Sequence, residues 1–147
     1  MIHVRRASLD DIEPLSILFD AYRQWYQQTA DIEKAKQFLA DRLRNNESVI
    51  FMAFDADKAV GFTQLYPIFT SVGLQRTWLL NDLYVDTAAR KKGVATQLLH
   101  AAKEHGRTTG SKWLLLQTGY DNLQAQALYQ KNGWRKVNDI FYELPLN

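Results

Sequence analysis

Apolar positions recur along this chain with two different periods, and the period identifies the element. Ile2-His3-Val4-Arg5 alternates apolar and polar residues as a short strand does. Ile12, Leu15, Leu18, Phe19, Tyr22 and Tyr26 then recur at helical spacing. They predict a helix that opens at Ser8, with Asp11 three residues on as a capping-box partner, and runs to about Gln27. Ile32, Ala35, Phe38, Leu39 and Leu43 share one face of a second helix over Ile32–Arg44. Asn45-Asn46 marks a turn. Val49–Phe54 and Val60–Phe69 follow as strands joined by a hairpin loop at Asp55–Lys58, and Pro67 points to a bulge or an edge. Past a turn at Ser71-Val72-Gly73, Thr77–Asp86 reads as a strong strand.

Beyond this strand come a loop at Thr87–Lys92 and a helix over Gly93–Arg107 that carries Val94, Leu98, Leu99 and Ala102. Lys112–Thr118 is a strand of the buried type, and Leu123–Lys131 is a helix ended by Asn132-Gly133. Trp134–Val137 and Ile140–Leu144 predict a closing hairpin. The order β-α-α-β-β-β-α-β-α-β-β predicts an α/β fold in a single domain over 1–147. Its sheet is mixed and mostly antiparallel, flanked by helices, with antiparallel hairpins before one strand–helix–strand crossover.

Composition narrows the chemistry. The 147 residues are 46% hydrophobic and 23% charged, an ordinary globular balance. Eighteen Lys+Arg against sixteen Asp+Glu leave a net charge of +2, so no whole-chain basic footprint calls for a nucleic-acid partner. The absence of cysteine excludes disulfides, thiolate metal sites and a cysteine nucleophile. No histidine pair forms a metal-binding motif, and no metal is expected; His100 and His105 read as exposed helix residues. No run approaches the ~18 apolar residues that span a bilayer. The N-terminus has no leader pattern, so neither a membrane partner nor export is expected and the location expected is cytoplasmic.

The informative segment is Val85-Asp86-Thr87-Ala88-Ala89-Arg90-Lys91-Lys92-Gly93-Val94-Ala95-Thr96. A strand ends, a short loop follows and a helix begins at a glycine. A helix N-terminus exposes unpaired N–H groups and the positive end of the dipole, so bases there oppose the helix. Arg90, Lys91 and Lys92 make sense at that end if an anion arrives to be bound. Gly93 lets the backbone approach it, small Ala95 keeps the first turn open, and Thr96 adds a hydroxyl. A solvated basic turn would give the same residues. No P-loop, dinucleotide glycine fingerprint or nucleophile elbow occurs.

Three segments together carry a resemblance. Leu79-Leu80-Asn81-Asp82-Leu83-Tyr84-Val85, the Arg90–Ala95 loop, and Asp121-Asn122 followed by Ala127 to Trp134 resemble the GNAT superfamily of acetyl-CoA-dependent N-acetyltransferases. The loop is similar to its Gln/Arg-x-x-Gly-x-Gly/Ala pattern, and the first strand is similar to that of diamine and polyamine acetyltransferases. The resemblance implies that the N–H groups over Lys91–Thr96 (Lys91, Lys92, Gly93, Val94, Ala95 and Thr96, with Arg90 beside them) cradle the pyrophosphate of acetyl-CoA. It implies that the backbone of Leu83, Tyr84 and Val85 pairs with the pantetheine arm and that a bulge splays this strand from Lys112–Thr118. Asn122 would bind the arm from the other side, and Tyr129 would protonate the leaving sulfur. Without the resemblance Tyr129 reads as a boundary tyrosine.

The acceptor it implies is a primary amine, more readily a small molecule than a protein. A protein-lysine or N-terminal acetyltransferase and a non-catalytic acyl-CoA sensor are the alternatives. Related enzymes place a Glu where this chain has Asn81, which cannot take a proton. Asp82 is the nearest ionisable group, but alternation points it to the opposite face unless a bulge re-aims it; otherwise it is a structural carboxylate. A water chain ending on Asp82, Tyr26 or Glu143 is open as well. Trp25 and Tyr26 at the end of the first helix, and Gln64, Tyr66 and Asn81 on the strands, are candidates to wall the acceptor site. Tyr22 and Tyr26 can equally be core stripe. Lys131 is a surface charge or a reach toward the 3′-phosphate. The final hairpin offers a surface for a homodimer.

Overall fold

The capping box read at Ser8 is formed: Ser8 N donates to Asp11 Oδ2 at 2.8 Å, and the Ser8 hydroxyl accepts from Asp10 N at 3.2 Å. The computed structural model describes all residues 1–147. In it the box starts a 3-10 turn over Leu9–Asp11, and the helix proper, α1, is Ile12–Trp25. It stops two residues short of the reading because Gln27 turns left-handed at φ 66°. Helix α2 is Ile32–Arg44, capped by Asp31 accepting from Lys34 N at 3.1 Å. The strands are β1 (Ile2–Arg6), β2 (Val49–Asp55), β3 (Lys58–Thr70), β4 (Gln75–Val85) and β5 (Leu114–Leu116), with α3 (Val94–Thr108) between β4 and β5. They form one sheet in chain order, antiparallel except for the parallel β4–β5 pair. Pro67 lies beyond the end of the β2 pairing at Leu65, where its missing N–H breaks no ladder on that side.

The chain forms two compact units, Met1–Gln117 and Thr118–Asn147. In the first, each face of the sheet has its own core. Leu15, Leu18, Phe19, Ala35 and Leu39 of α1 and α2 meet Ile50, Met52, Phe54 and Phe62 on one face. Val94 and Leu98 of α3 meet Ala53 and Val60 on the other. Leu15, Leu39, Ile50, Met52 and Phe62 are wholly buried, each worth roughly 1.5–3 kcal/mol against exposure. His105 is not the exposed residue expected of it: its ring lies 4.7 Å from Trp78 and 5.6 Å from Phe51, because its turn of α3 packs on the sheet.

The feature that positions the site is a register shift. The β3–β4 ladder is regular from Thr70 and Gln75 to Leu65 and Leu80. Gln64 then pairs with Asp82, leaving Asn81 as an extra residue in β4. One inserted residue inverts the alternation of side chains beyond it. Before it, Trp78 points to the α3 face and donates its Nε1–H to the Thr109 hydroxyl at 2.8 Å. Beyond it, Tyr84 packs with the α1 core, while Leu83 and Val85 pack with the α3 core. Asp82 is in phase with Tyr84 and so faces α1. The β4–β5 pairing, Trp78 to Leu114 through Leu80 to Leu116, ends at the same point.

In the second unit, α4 is Leu123–Lys131, capped by the Asn122 side chain accepting from Ala125 N at 3.2 Å. It ends as the Asn132-Gly133 pair predicts. Gly133 is left-handed at φ 91°, Gly133 N donates to Gln130 O, and Trp134 N donates to Tyr129 O at 3.0 Å. The closing hairpin does not form: no strand follows α4. Val137, Ile140, Phe141, Tyr142 and Leu144 are exposed, and a two-stranded hairpin without a covered face is marginal by itself. No helix is long and apolar enough to cross a membrane.

Candidate active site

Asp82 is the centre of the polar cluster at the bulge. It is 6% exposed. Gln64 Nε2 donates to its Oδ2 at 2.8 Å and Asn81 Nδ2 to its Oδ1 at 3.1 Å. The Tyr22 hydroxyl of α1 lies near enough to favour its charged form. Burial raises its proton affinity above the ordinary carboxylate value, and these three donors oppose that rise. The main chain is braced too: Thr63 Oγ1 donates to Asp82 O at 2.8 Å, satisfying a carbonyl at the broken ladder.

Two tyrosines feel this carboxylate. Tyr66 is pushed up to about 12, first by burial and then by the Asp82 charge, with Arg42 pulling the other way. Tyr22 is driven further up by the same two causes and stays protonated as a donor. The Tyr22 ring packs edge-on against Tyr26 at 5.1 Å, Phe62 at 5.6 Å and Tyr84 at 6.0 Å. Tyr22 therefore serves both the core stripe and the cluster.

The expected acceptor residues separate. Tyr66, Asn81 and Tyr22 surround Asp82. Gln64 is wholly buried with its amide directed at Asp82, so it is no wall of an open pocket. Tyr26 and Trp25 are exposed at the end of α1. One face of Trp25 is covered by the Arg90 guanidinium, 5.0 Å from the ring centroid. Thr63 is not among the residues that the sequence singles out. Nothing in the sequence signals Thr63, and Tyr22 is hidden by its place in the helical stripe.

The loop after β4 is shaped for an anion. A 3-10 turn at Thr87–Ala89 leads to Lys91 at φ 65° and to Gly93, left-handed at φ 78°. Gly93 is the N-cap of α3 and no side chain caps the helix. The first intrahelical bond is Gln97 N to Gly93 O, so the N–H groups of Val94, Ala95 and Thr96 precede the ladder. A Cβ built on Gly93 meets nothing within 4 Å. Left-handed residues alternating along a turn bring N–H groups into an anion-binding concavity. The donors, the open side of Gly93 and the three adjacent cations fit a pyrophosphate.

The edge of β4 fits an extended partner. Asp86 N donates to Val60 O at 2.8 Å, so alternation commits Tyr84 to Phe62 on β3 and turns the N–H and C=O of Leu83 and Val85 away from it. Beyond Leu80 no strand takes them. Arg90 Nε donates to Val85 O at 3.1 Å. In the second unit, Asn122 Oδ1 is used as the cap of α4, and Tyr129, in its last turn, has its ring 6.2 Å from that of Trp134.

Known proteins similar to this chain are acetyltransferases. The acetyltransferase (GNAT) family model matches residues 15–134. The uncharacterized N-acetyltransferase YhfO of Bacillus subtilis (strain 168) is 43% identical over 135 residues, 92% of this chain and 91% of its own. A probable acetyltransferase of Haemophilus influenzae is 39% identical over 120 residues, 79% of this chain and 82% of its own. A solved structure of a probable acetyltransferase, 38% identical, covers 99% of this chain and 98% of its own at a TM-score of 0.94.

Proposed function

Because the chain belongs to the GNAT family and is an acetyl-CoA-dependent N-acetyltransferase, we propose that its acceptor is a small primary amine, with Asp82 as the proton acceptor and Tyr129 as the proton donor. The observation that carries this reading is the bulge at Asn81, which turns a buried carboxylate to the α1 face at the point where β4 and β5 part. Acetyl-CoA supplies an acyl group activated as a thioester.

An alkylamine arrives as an ammonium, with a pKa of about 10.4, and must lose a proton before its nitrogen can attack. Asp82 takes that proton. Burial makes it a stronger base than an exposed carboxylate, and Gln64 and Asn81 hold it in one orientation. A carboxylate among Tyr22, Tyr66 and, further out, Tyr26 and Trp25 is a surface for a small cation, which aromatic faces attract. The N–H groups of residues 91–96 bind the pyrophosphate, and the outward groups of Leu83 and Val85 bind the pantetheine arm as an added strand. The Val85 N–H also serves a developing oxyanion. Asn122 contributes the donor end of its amide, and the Tyr129 hydroxyl gives its proton to the departing sulfur.

The experiment is thiol release from acetyl-CoA with a panel of polyamines, amino acids, aminoglycosides and a basic peptide, at pH 7 and pH 9. Turnover with one small-amine class is expected, falling roughly 10²–10⁴-fold in Asp82→Asn and in Tyr129→Phe, while coenzyme A binds both variants as it binds the wild type. Turnover with the peptide alone overturns the acceptor class. An Asp82→Asn variant as fast as wild type overturns the base.

A further inference from the structure

Gln64 is an amide at a position that the fold would fill as well with a hydrocarbon. It is 0% exposed, between Thr63 and Leu65, which are equally sealed. Its Nε2 is bonded to Asp82 Oδ2, while its Oε1 is buried and has no hydrogen-bond partner. Turning the amide round would set Oε1 against a carboxylate oxygen, two acceptors face to face. The ionised carboxylate thus dictates the orientation, and the unsatisfied oxygen is the result. A buried polar atom without a partner destabilises a fold, and an apolar side chain of the same length would not carry that cost. On the adjacent residue, Thr63 holds the Asp82 carbonyl. Two consecutive residues of β3 therefore grip one residue of β4, by main chain and by side chain, at the one place where their ladder breaks.

We propose that Gln64 is a positioning residue of the reaction: its sealed amide fixes the Asp82 carboxylate in the direction the bulge gives it, and it is retained for that purpose at the expense of stability. This rests on the reading of Asp82 as the base. The other groups facing Asp82 are Tyr22 from α1, Tyr66 from β3 and Asn81 from β4 itself. None of them is a cation, so hydrogen-bond donors alone favour the charged form. Of the two side-chain amides on the carboxylate, Gln64 makes the shorter bond, and Asn81 is exposed.

The test uses Gln64→Met, similar in length and without polar ends, and Gln64→Glu, which keeps the length and places a second carboxyl on Asp82. The carboxyl titration of Asp82 is followed by carbon NMR beside the pH profile of kcat/KM and the melting temperature. Gln64→Met is expected to melt at or above the wild-type temperature and to bind coenzyme A unchanged. Its Asp82 should titrate about one pH unit higher, with the acid limb of kcat/KM shifted by the same amount. Gln64→Glu moves the titration further in the same direction, since two adjacent carboxyls share a proton. Asp82 titrating at the wild-type pH in both variants overturns the proposal. A titration that moves beneath an unmoved rate profile overturns the proposal from the other side: Gln64 then orients Asp82, but Asp82 is not the base and the pair has no part in the reaction.

Discussion

The guanidinium of Arg90 stacks on the ring of Trp25 while its Nε holds the carbonyl of Val85. One side chain thus ties the last turn of α1, the edge of β4 and the anion loop together. The stack is solvent-exposed, where a cation–π contact is worth about 0.5–1 kcal/mol. Trp25→Ala should therefore weaken coenzyme A binding by roughly two- to five-fold, measured by calorimetry. An unchanged affinity would show that Arg90 keeps its place without the ring.

Gly93→Ala separates backbone strain from ligand contact. A Cβ there meets no protein atom, so the variant suffers only the left-handed φ of 78°, a cost of about 1–2 kcal/mol. That lowers the melting temperature by a few degrees. The same methyl protrudes into the concavity, and coenzyme A affinity should fall about ten-fold or more, beyond what the strain explains. Equal losses in the two measurements would place the phosphates elsewhere.

Gly61 sits opposite Val85, where β3 passes close to β4. A Cβ at this position would lie 2.8 Å from Tyr84 O and 3.3 Å from side-chain atoms of Val94 and Leu98. The backbone oxygen cannot step aside as a side chain can. Gly61→Ala should cost about 1–3 kcal/mol, read by denaturant titration. It should also impair coenzyme binding, because the strand that must move carries the Leu83–Val85 edge.

Acid acts on two buried carboxylates with opposite sign. Asp11 is held below the ordinary value chiefly by its hydrogen bonds with Arg5, at 2.7 and 2.9 Å, together with Ser8 N. Its contribution to stability is full above the unfolded pKa of about 3.9 and is lost as the pH falls through the lower folded value. Asp82 is raised by burial, so its protonated form favours folding at low pH, and that contribution disappears as the pH rises through the folded value. Asp11→Asn should lower stability by about 1 kcal/mol at neutral pH and flatten its decline below pH ~4. A decline as steep as wild type would assign it to other groups.

Local signals were readable in the sequence, and pairings between distant segments were not. Ser8 with Asp11, the ends of α2, Gly93 opening α3 and Asn132-Gly133 closing α4 follow from a few neighbouring residues, and all are present. The bulge at Asn81 is a mismatch between two strands, and Asn81 alone does not encode it. A two-residue period could place Gln64 and Tyr66 on one face, but it could not say that Asp82 would come round to meet them. Tyr22 and His105 look like stripe and surface until a partner element is set against them. Ile140, Phe141 and Tyr142 have the composition of a strand and belong to none.

The extra residue at position 81 makes β4 two half-strands in antiphase. Residues 75–80 answer to the packing of α3, and residues 82–85 answer to the chemistry on the α1 side. Each half can change its side chains without consulting the other. What neither half tolerates is a change in length: removing one residue between Trp78 and Asp82 would bring the two back into phase. The carboxylate would turn into the α3 core, and the way would open for β5 to close along the whole strand. In this stretch the count of residues is under tighter constraint than their identity.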